Sequence, residues 1–248
     1  MEVINDLLNY NNMKIVQDTN MFCFSLDSVL LANFVSLNKK CNSILDIGCG
    51  NAPIPLILST KTTSNIDGIE IQKEVYNLAC KSVKINKLDS RINIINEDIN
   101  KYYINCESDI YDVITCNPPF FKVNENSKLN DSTYKVFARH EVYLNLEQLF
   151  RISKKLLKNG GVISVVHRAD RLIDIIYEMK KNNIEPKRVR FVYPKIGKEC
   201  NMVLIEGKKN GGVGLKILPP LYVHDNDGEY SKDVKKYFEG GLNESKEL

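Results

Sequence analysis

A tetrapeptide, Asn117-Pro118-Pro119-Phe120, directly follows an apolar run that ends at Cys116. The Asn117 side-chain oxygen and the Pro118 carbonyl can each accept one hydrogen of a planar amine, while the prolines fix the backbone and keep that carbonyl out of a sheet ladder. Phe120 can stack on a base turned out of its helix. Because asparagine cannot act as a general base, we expect the amine to lose its proton after it has attacked. We assign catalysis to Asn117, Pro118, Pro119 and Phe120; a simple turn after a strand is the alternative.

A glycine-rich turn precedes this motif, between a strand-like run and a helical one. Glycines at positions 48 and 50 permit a tight turn and a close approach of the backbone to a ligand. The spacing is not Gly-x-Gly-x-x-Gly, since position 53 is proline, so the pyrophosphate fingerprint is incomplete. The turn is predicted to contribute cofactor-binding residues, namely Asp46, Gly48, Cys49, Gly50 and Asn51.

Two further carboxylates follow the next predicted strands. Glu70 lies about 20 residues beyond the turn, where a carboxylate can accept hydrogen bonds from ribose hydroxyls. Asp98 follows the third strand, in position to accept from an adenine amine. With Ile71, Ile99 and Asn117, they complete a predicted pocket for an adenosine without phosphates and without a metal ion. The alternative is a tight turn flanked by carboxylates that cap helices.

Short β-branched runs alternate with helix-period stretches from Ser43 onward, which predicts an α/β fold with a mostly parallel sheet covered by helices on both faces. The predicted strands cover 44–47, 66–70, 92–96, 111–116, 161–166, 188–192 and 202–206. The predicted helices cover 28–35, 53–58, 72–86, 146–157 and 171–181. Ser25 is the expected N-cap of the first helix. We expect the glycines at 160 and 161 to end the fourth helix, and a terminal hairpin to close the sheet.

Composition sets broad limits on the function. The 248 residues, 43% of them hydrophobic, suffice for one large core. A net charge of +3 neither indicates nor excludes an RNA partner. No apolar run approaches the roughly 20 residues of a membrane span, and no signal sequence precedes the core, so a cytoplasmic protein is expected. Seven cysteines without a Cys-x-x-Cys pair argue against disulfides and zinc.

The turn Asp46-Ile47-Gly48-Cys49-Gly50, together with Glu70, resembles the cofactor site of class I S-adenosylmethionine methyltransferases. The resemblance covers Ser43 to Gly207. It implies a Rossmann-like, seven-stranded sheet whose last strand is antiparallel, and S-adenosyl-L-methionine as the cofactor. The Asn117 motif resembles that of amino methyltransferases that act on adenine, guanine N2 or protein glutamine.

Other stretches resemble the family of tRNA(Val) adenine N6-methyltransferases, which modify the purine beside the anticodon. They are Lys14 to Gln17 with Phe22 to Leu31, Asn117 to Phe121 with Ala138 to Glu141, Tyr193 to Lys195 with Val203 to Gly207, and Leu218 to Val223. This resemblance implies N6-methylation of an adenine in tRNA, with no membrane and no obligate protein partner. The alternatives are a ribosomal guanine N2-methyltransferase, a glutamine N5-methyltransferase and, more remotely, a noncatalytic cofactor-binding subunit.

The resemblance does not define the RNA-binding surface, so we infer it from the distribution of charged residues. We assign substrate contacts to Phe121, Arg139, His140, Arg188, Arg190 and Lys195, with a solvated charged face or an anchored loop as the alternative. His167 is expected to be structural. Residues 122–133 are predicted to form a mobile loop. The domain division is a cap at 1–42, a methyltransferase core at 43–207 and an extension of the same domain at 208–248.

Overall fold

The computed structural model describes residues 1–8, 10, 12–21, 24–118 and 144–239. Several predictions therefore lie outside the described residues: Pro119, Phe120, Phe121, Arg139, His140 and the loop at 122–133.

A single mixed sheet organises the chain. Seven strands carry the pattern expected of the methyltransferase core: β3 (Ser43–Ile47), β4 (Asn65–Ile69), β5 (Ile92–Ile95), β6 (Tyr111–Cys116), β7 (Leu157–Arg168), β8 (Ile184–Lys195) and β9 (Met202–Lys209). Their order is β8-β9-β7-β6-β3-β4-β5, and β9 alone runs antiparallel to its neighbours. The predicted fold class, with its antiparallel last strand and its terminal hairpin, is confirmed.

Two short strands extend the sheet beyond the prediction. β10 (Lys216–Ile217) and β11 (Leu221–His224) both pair in parallel with β8, which brings the sheet to nine strands in the described part of the chain. They come from the segment that follows β9, where proline and glycine obscure any strand pattern. The outer edge of the sheet is therefore built by the C-terminal extension.

Helices cover both faces of this sheet. They are α1 (Leu26–Phe34), α2 (Pro53–Ser59), α3 (Lys73–Ile85), α4 (Ile99–Asn105), α5 (Leu146–Leu156), α6 (Leu172–Lys181) and α7 (Lys232–Phe238). Buried residues of α1, α2, α3 and α7 share one hydrophobic cluster, and those of α4, α5 and α6 share another. This two-layer burial is what doubly covered parallel strands require. None of these described helices has the length and apolarity needed to cross a bilayer.

The end of α5 and the start of α1 can be compared with their predictions. α5 stops at Leu156, and the strand starts at once, so the glycines at 160 and 161 lie within β7 instead of ending the helix. Between Tyr111 and Val113 the register of β6 with β7 shifts, which marks a bulge that takes up 158–161. Ser25 holds the N-cap position of α1 as predicted, although its side chain makes no cap hydrogen bond there.

An N-terminal hairpin, β1 (Glu2–Asp6) and β2 (Lys14–Asp18), is attached through the free edge of β2. Asn86, which follows α3, bonds both backbone groups of Lys14, at 2.9 and 2.7 Å, and Ser82 Oγ of α3 accepts from Val16 N at 2.9 Å. Asn51 Nδ2 donates to Val16 O at 2.9 Å. Polar side chains thus satisfy the backbone groups of β2 that a third strand would otherwise bond. One of them, Asn51, also connects the hairpin to the glycine turn.

A buried ion pair fixes the end of α1. Glu206 accepts from Ser36 N, Ser36 Oγ and Ser164 Oγ at 2.7 to 2.8 Å, and it pairs with Arg188 at 3.3 Å. The Arg188 guanidinium also lies 4.6 Å from the ring of Phe34, and its side chain is only 11% exposed. The structure therefore places Arg188 in the interior, facing Glu206 across the β8–β9 pair, and not on an RNA-facing surface.

We predict that Glu206→Gln destabilises the fold by about 3 kcal/mol, because it leaves the buried Arg188 charge without its counter-ion. Urea unfolding measures this change. Glu147→Gln is the matched control, since the Glu147–Lys181 pair is exposed and its loss should change the stability far less than the loss of Glu206 does. Equal losses for the two variants would contradict a structural role for the Glu206–Arg188 pair.

Candidate active site

Asp46, the glycine turn, Glu70 and Asn117 converge on one edge of the sheet. β3 pairs in parallel with β4 on one side and with β6 on the other, and all three strands end at that edge. The glycine turn therefore leaves β3 between Glu70, which follows β4, and Asn117, which follows β6. This is the edge at which open α/β sheets bind their ligands.

The glycine turn is held against the end of β4. Gly48 N and Cys49 N both donate to Ile69 O, at 2.9 and 3.0 Å, and Gly50 N donates to Glu70 Oε2 at 3.1 Å. Gly48 has φ +69° and Gly50 φ +57°, in the left-handed region that glycine occupies without strain. A Cβ at either position would meet no described protein atom within 4 Å. The turn thus faces open space that a bound molecule can occupy.

Cys49 faces inward from the same turn. Its side chain is buried, and a Cβ on Gly68 of β4 would come within 2.9 Å of its Sγ. Glycine at 68 is therefore needed for β4 to pass the turn at this distance. Because the Cys49 side chain packs in the interior, the predicted contact of Cys49 with the cofactor would be made by its backbone.

Glu70 holds the turn and faces the pocket at once. It is 3% exposed; Oε2 accepts from Gly50 N and Oε1 accepts from Gln72 N at 2.8 Å. Burial raises the pKa of this carboxyl above its usual value. A carboxylate held in this position can also accept a hydrogen bond from a ribose hydroxyl.

Asp46 is the second buried carboxylate of the pocket. Its Oδ1 accepts from Thr115 Oγ1 at 2.6 Å, across the β3–β6 pair. Its Oδ2 is buried and has no hydrogen-bond partner among the described residues. Burial raises the pKa of Asp46 to about 7. A buried acceptor without a donor is costly, and a cation or donor in the pocket would satisfy it.

The Asn117 amide is oriented by helix α1. Its Nδ2 donates to Ser28 Oγ at 3.1 Å, and Ser28 is 5% exposed. This bond uses the donor end of the amide and directs its carbonyl oxygen away from Ser28. Pro118, the next residue, is buried. An amide held by its nitrogen in this way can offer its oxygen as an acceptor.

Two predicted cofactor ligands have local roles in the structure. Asp98 is the N-cap of α4, where its Oδ1 accepts from Asn100 N at 2.8 Å and from Asn100 Nδ2 at 3.1 Å. The Asn51 side chain points to the hairpin, as described above. Ile71 is half-buried after Glu70, and Ile99 is buried in the first turn of α4.

The outer basic residues do not form one surface. Arg190 donates to Tyr237 OH at 2.9 Å and so ties β8 to α7, whereas Lys195 is exposed at the end of β8. His167 is buried, and its Nδ1 accepts from Arg168 N at 2.9 Å. Burial lowers the pKa of His167 to about 4, as expected of a structural histidine.

Thr115 and Ser28 are site residues that the sequence analysis missed. Thr115 lies two residues before Asn117, so strand periodicity places both on one face of β6 and provides a signal for Thr115. Ser28 belongs to the N-terminal stretch, and nothing in its spacing indicates a partner 89 residues away.

Comparison with known proteins identifies the family. Residues 12–182 match the model of the methyltransferase small domain. A tRNA1(Val) (adenine(37)-N6)-methyltransferase of Parabacteroides distasonis is 32% identical over 73% of this chain and 74% of its own length. The chain belongs to this methyltransferase family. A protein of the same name from Flavobacterium psychrophilum is 28% identical over 82% of this chain and 87% of its own length, and the predicted family membership is confirmed.

Solved structures show the same fold at lower identity. A predicted O-methyltransferase from Agrobacterium tumefaciens superposes with a TM-score of 0.69 at 17% identity, over 86% of this chain and 96% of its own. A geranyl diphosphate C-methyltransferase from Streptomyces coelicolor, solved with S-adenosyl-L-homocysteine, gives a TM-score of 0.54 at 12% identity, over 73% of this chain and 76% of its own. These likenesses concern the fold alone.

The raised pKa of Asp46 predicts a pH-dependent affinity for S-adenosylmethionine. A cationic ligand favours the ionised carboxylate, so binding releases the Asp46 proton, and affinity should rise about tenfold between about pH 6 and about pH 8. Isothermal titration calorimetry measures it. Asp46→Asn cannot titrate, and a rise that persisted unchanged in that variant would refute the assignment.

Proposed function

We propose that this chain is an S-adenosylmethionine-dependent methyltransferase that acts on N6 of the adenine next to the anticodon, position 37, of tRNA1(Val). The observation that carries the proposal is the position of the Asn117 amide. Its nitrogen donates to Ser28, and it lies beside a glycine turn that is flanked by buried carboxylates. The relatives that share most of the chain carry this activity in their names.

The cofactor-binding part of the proposal rests on three features of the pocket. Gly48 and Gly50 leave open space over the turn, Glu70 is held at that turn by the amides of Gly50 and Gln72, and Asp46 presents an oxygen without a donor among the described residues. When bound, the cofactor supplies a methyl group on a positively charged sulfonium. Asp46 and Glu70 would offset that charge and bind the ribose hydroxyls, with the remaining predicted ligands Cys49, Asn51, Ile71, Asp98 and Ile99 as the walls of the pocket.

The acceptor part rests on the two hydrogen-bond acceptors that follow β6. Asn117 Oδ1 and the Pro118 carbonyl would take the two hydrogens of the adenine amine, which holds the nitrogen lone pair toward the pocket. Phe120 would stack on the base, and Pro119 would fix the turn. Neither acceptor can remove a proton from the amine, so the proton leaves to solvent after the methyl group has moved.

We also propose how the rest of the chain serves this reaction. Buried residues of the hairpin, of the sheet and of α7 share one hydrophobic cluster, which supports a cap at 1–42, a core at 43–207 and an extension at 208–248 within one domain. A tRNA substrate places the protein in the cytoplasm. Phe121, Arg139, His140, Arg190 and Lys195 are proposed substrate contacts; Arg188 is withdrawn because of its buried pairing with Glu206.

Asn117→Ala should lower methyl transfer about 10²- to 10³-fold while leaving the affinity for S-adenosylhomocysteine nearly unchanged, because the lost acceptor serves the amine. The assay transfers labelled methyl to unmodified tRNA1(Val) and digests the product to nucleosides. Label in N6-methyladenosine supports the proposal. Label in guanosine would favour the ribosomal alternative, label in protein the glutamine enzymes, and no label in wild type the noncatalytic subunit. Near-normal transfer by Asn117→Ala would remove the acceptor mechanism.

Ser28→Ala should lower kcat about five- to tenfold, since it frees the Asn117 amide to rotate, whereas Ser28→Thr keeps the hydroxyl and should retain most activity. In an Asn117→Ala background, Ser28→Ala should have no further effect, because its role passes through that amide. Single-turnover kinetics of wild type, the two single alanine variants and the double variant measure the coupling between Ser28 and Asn117. Additive losses would show that Ser28 acts on stability or cofactor binding instead.

A further inference from the structure

A groove opens on the same edge of the sheet as the candidate active site, but at its far end. It lies between the β8–β9 loop and the turn that follows β11, with Lys195, Lys198 and His224 in its lining and a volume of about 840 Å³. Since β8 runs parallel to β6, both strands end at this edge. Three strand spacings separate them, roughly 14 Å.

The register of β8 with β11 builds a patch of rings and cations beside this groove. Tyr193 pairs with Tyr222, and Lys195 pairs with His224. Alternate residues of a strand share a face, so the four side chains form a block of two aromatic and two basic groups. The two tyrosine rings lie 5.4 Å apart, and none of these four residues is fully buried.

Further contacts make the groove a built feature of the fold. The His224 ring stacks on Tyr230 at 5.0 Å, and its Nδ1 lies 3.3 Å from Pro194 O. Gly197 turns the β8–β9 loop with φ +78°. β11 and the turn after it, which supply one wall, come from the C-terminal extension.

The two walls of the groove differ in charge, and only the wall on the β8 side, which carries Lys195 and Lys198, favours an anionic ligand. Lys195 and Lys198 are exposed, and within the described ranges neither has a carboxylate within 4 Å. Glu199 also lines the groove, and Asp225, Asp227 and Glu229 lie in the turn after β11. Of these, Glu229 faces Lys235 at 3.8 Å, and Asp227 Oδ1 accepts from Glu229 N. A polyanion would therefore follow the β8 side of the groove.

This region also lies outside the residues that match the model of the methyltransferase small domain. The family model ends at residue 182, and every residue of the groove comes later. Methyltransferases with different acceptors share the sheet edge that carries the active site. The choice of acceptor therefore has to come from structural elements outside this shared part of the fold. The groove is such an element, and it adjoins the site.

We propose that this groove binds the nucleotides that flank the target adenine in the tRNA substrate, an inference that rests on the proposed function. Lys195 and Lys198 contact phosphates, and the Tyr193–Tyr222 pair with His224 offers rings for unstacked bases. A few nucleotides of single-stranded RNA cover the distance from Asn117 to the end of β8. A loop of RNA, with one base in the active site, thus meets both places at once.

The experiment compares a Lys195→Ala, Lys198→Ala double variant with Lys84→Ala, Lys87→Ala, which removes two exposed lysines around the end of α3, at the opposite edge of the sheet. Affinity for unmodified tRNA1(Val) is measured with S-adenosylhomocysteine bound, over a series of salt concentrations. The groove variant should bind tRNA about tenfold more weakly, with a slope of log Kd against log salt shallower by about 2. Its affinity for S-adenosylhomocysteine should match wild type.

A second variant tests the rings separately. Tyr222→Leu keeps an apolar side chain on β11 and should weaken tRNA binding while leaving the salt slope unchanged, because stacking releases no counter-ions. If both groove variants bind tRNA like the control, the groove proposal fails and the proposed function stands. If wild type transfers no methyl to tRNA, the proposed function fails, and the groove proposal with it.

Discussion

The site depends on one constraint, the attachment of the glycine turn to the end of the neighbouring strand. Two consecutive amides, of Gly48 and Cys49, share the Ile69 carbonyl, and the next amide donates to Glu70. These bonds are possible only because Gly48 and Gly50 adopt left-handed conformations and because Gly68 lets β4 pass close to Cys49. The consequence is a rigid backbone surface that faces open space between two buried carboxylates.

Burying Asp46 and Glu70 side by side is unfavourable in the absence of a ligand. Desolvation raises both pKa values, and the negative charge of Glu70 raises the pKa of Asp46 further. The fold offsets part of this through the Thr115 hydroxyl on Asp46 and the backbone amides of Gly50 and Gln72 on Glu70, but it leaves Asp46 Oδ2 without a partner among the described residues. A cationic cofactor with a ribose diol matches both the charge and the missing donors, which links the stability of the pocket to its occupancy.

Most of this edge can be predicted from sequence, because strand ends and glycine turns carry local signals. The turn, Glu70 and Asn117 all lie at ends of predicted strands, and parallel pairing brings them together. Arg188 shows where the reasoning fails: its neighbours Val189 and Phe191 indicate a strand but not which face is covered, and its partner Glu206 lies on another strand. β10 and β11 are too short to have a periodic pattern, and the Ser28–Asn117 bond joins segments that only the fold brings close.

A crystal structure of the protein with S-adenosylhomocysteine would show where the cofactor lies relative to the glycine turn and Asn117. The account predicts the ribose hydroxyls on Glu70, ligand atoms over Gly48 and Gly50, and the sulfur directed toward the side of Asn117 that bears its amide oxygen, with the Gly50–Glu70 bond retained. The account would be contradicted by a ligand bound away from this turn, or by an Asn117 amide that turns its nitrogen toward the sulfur.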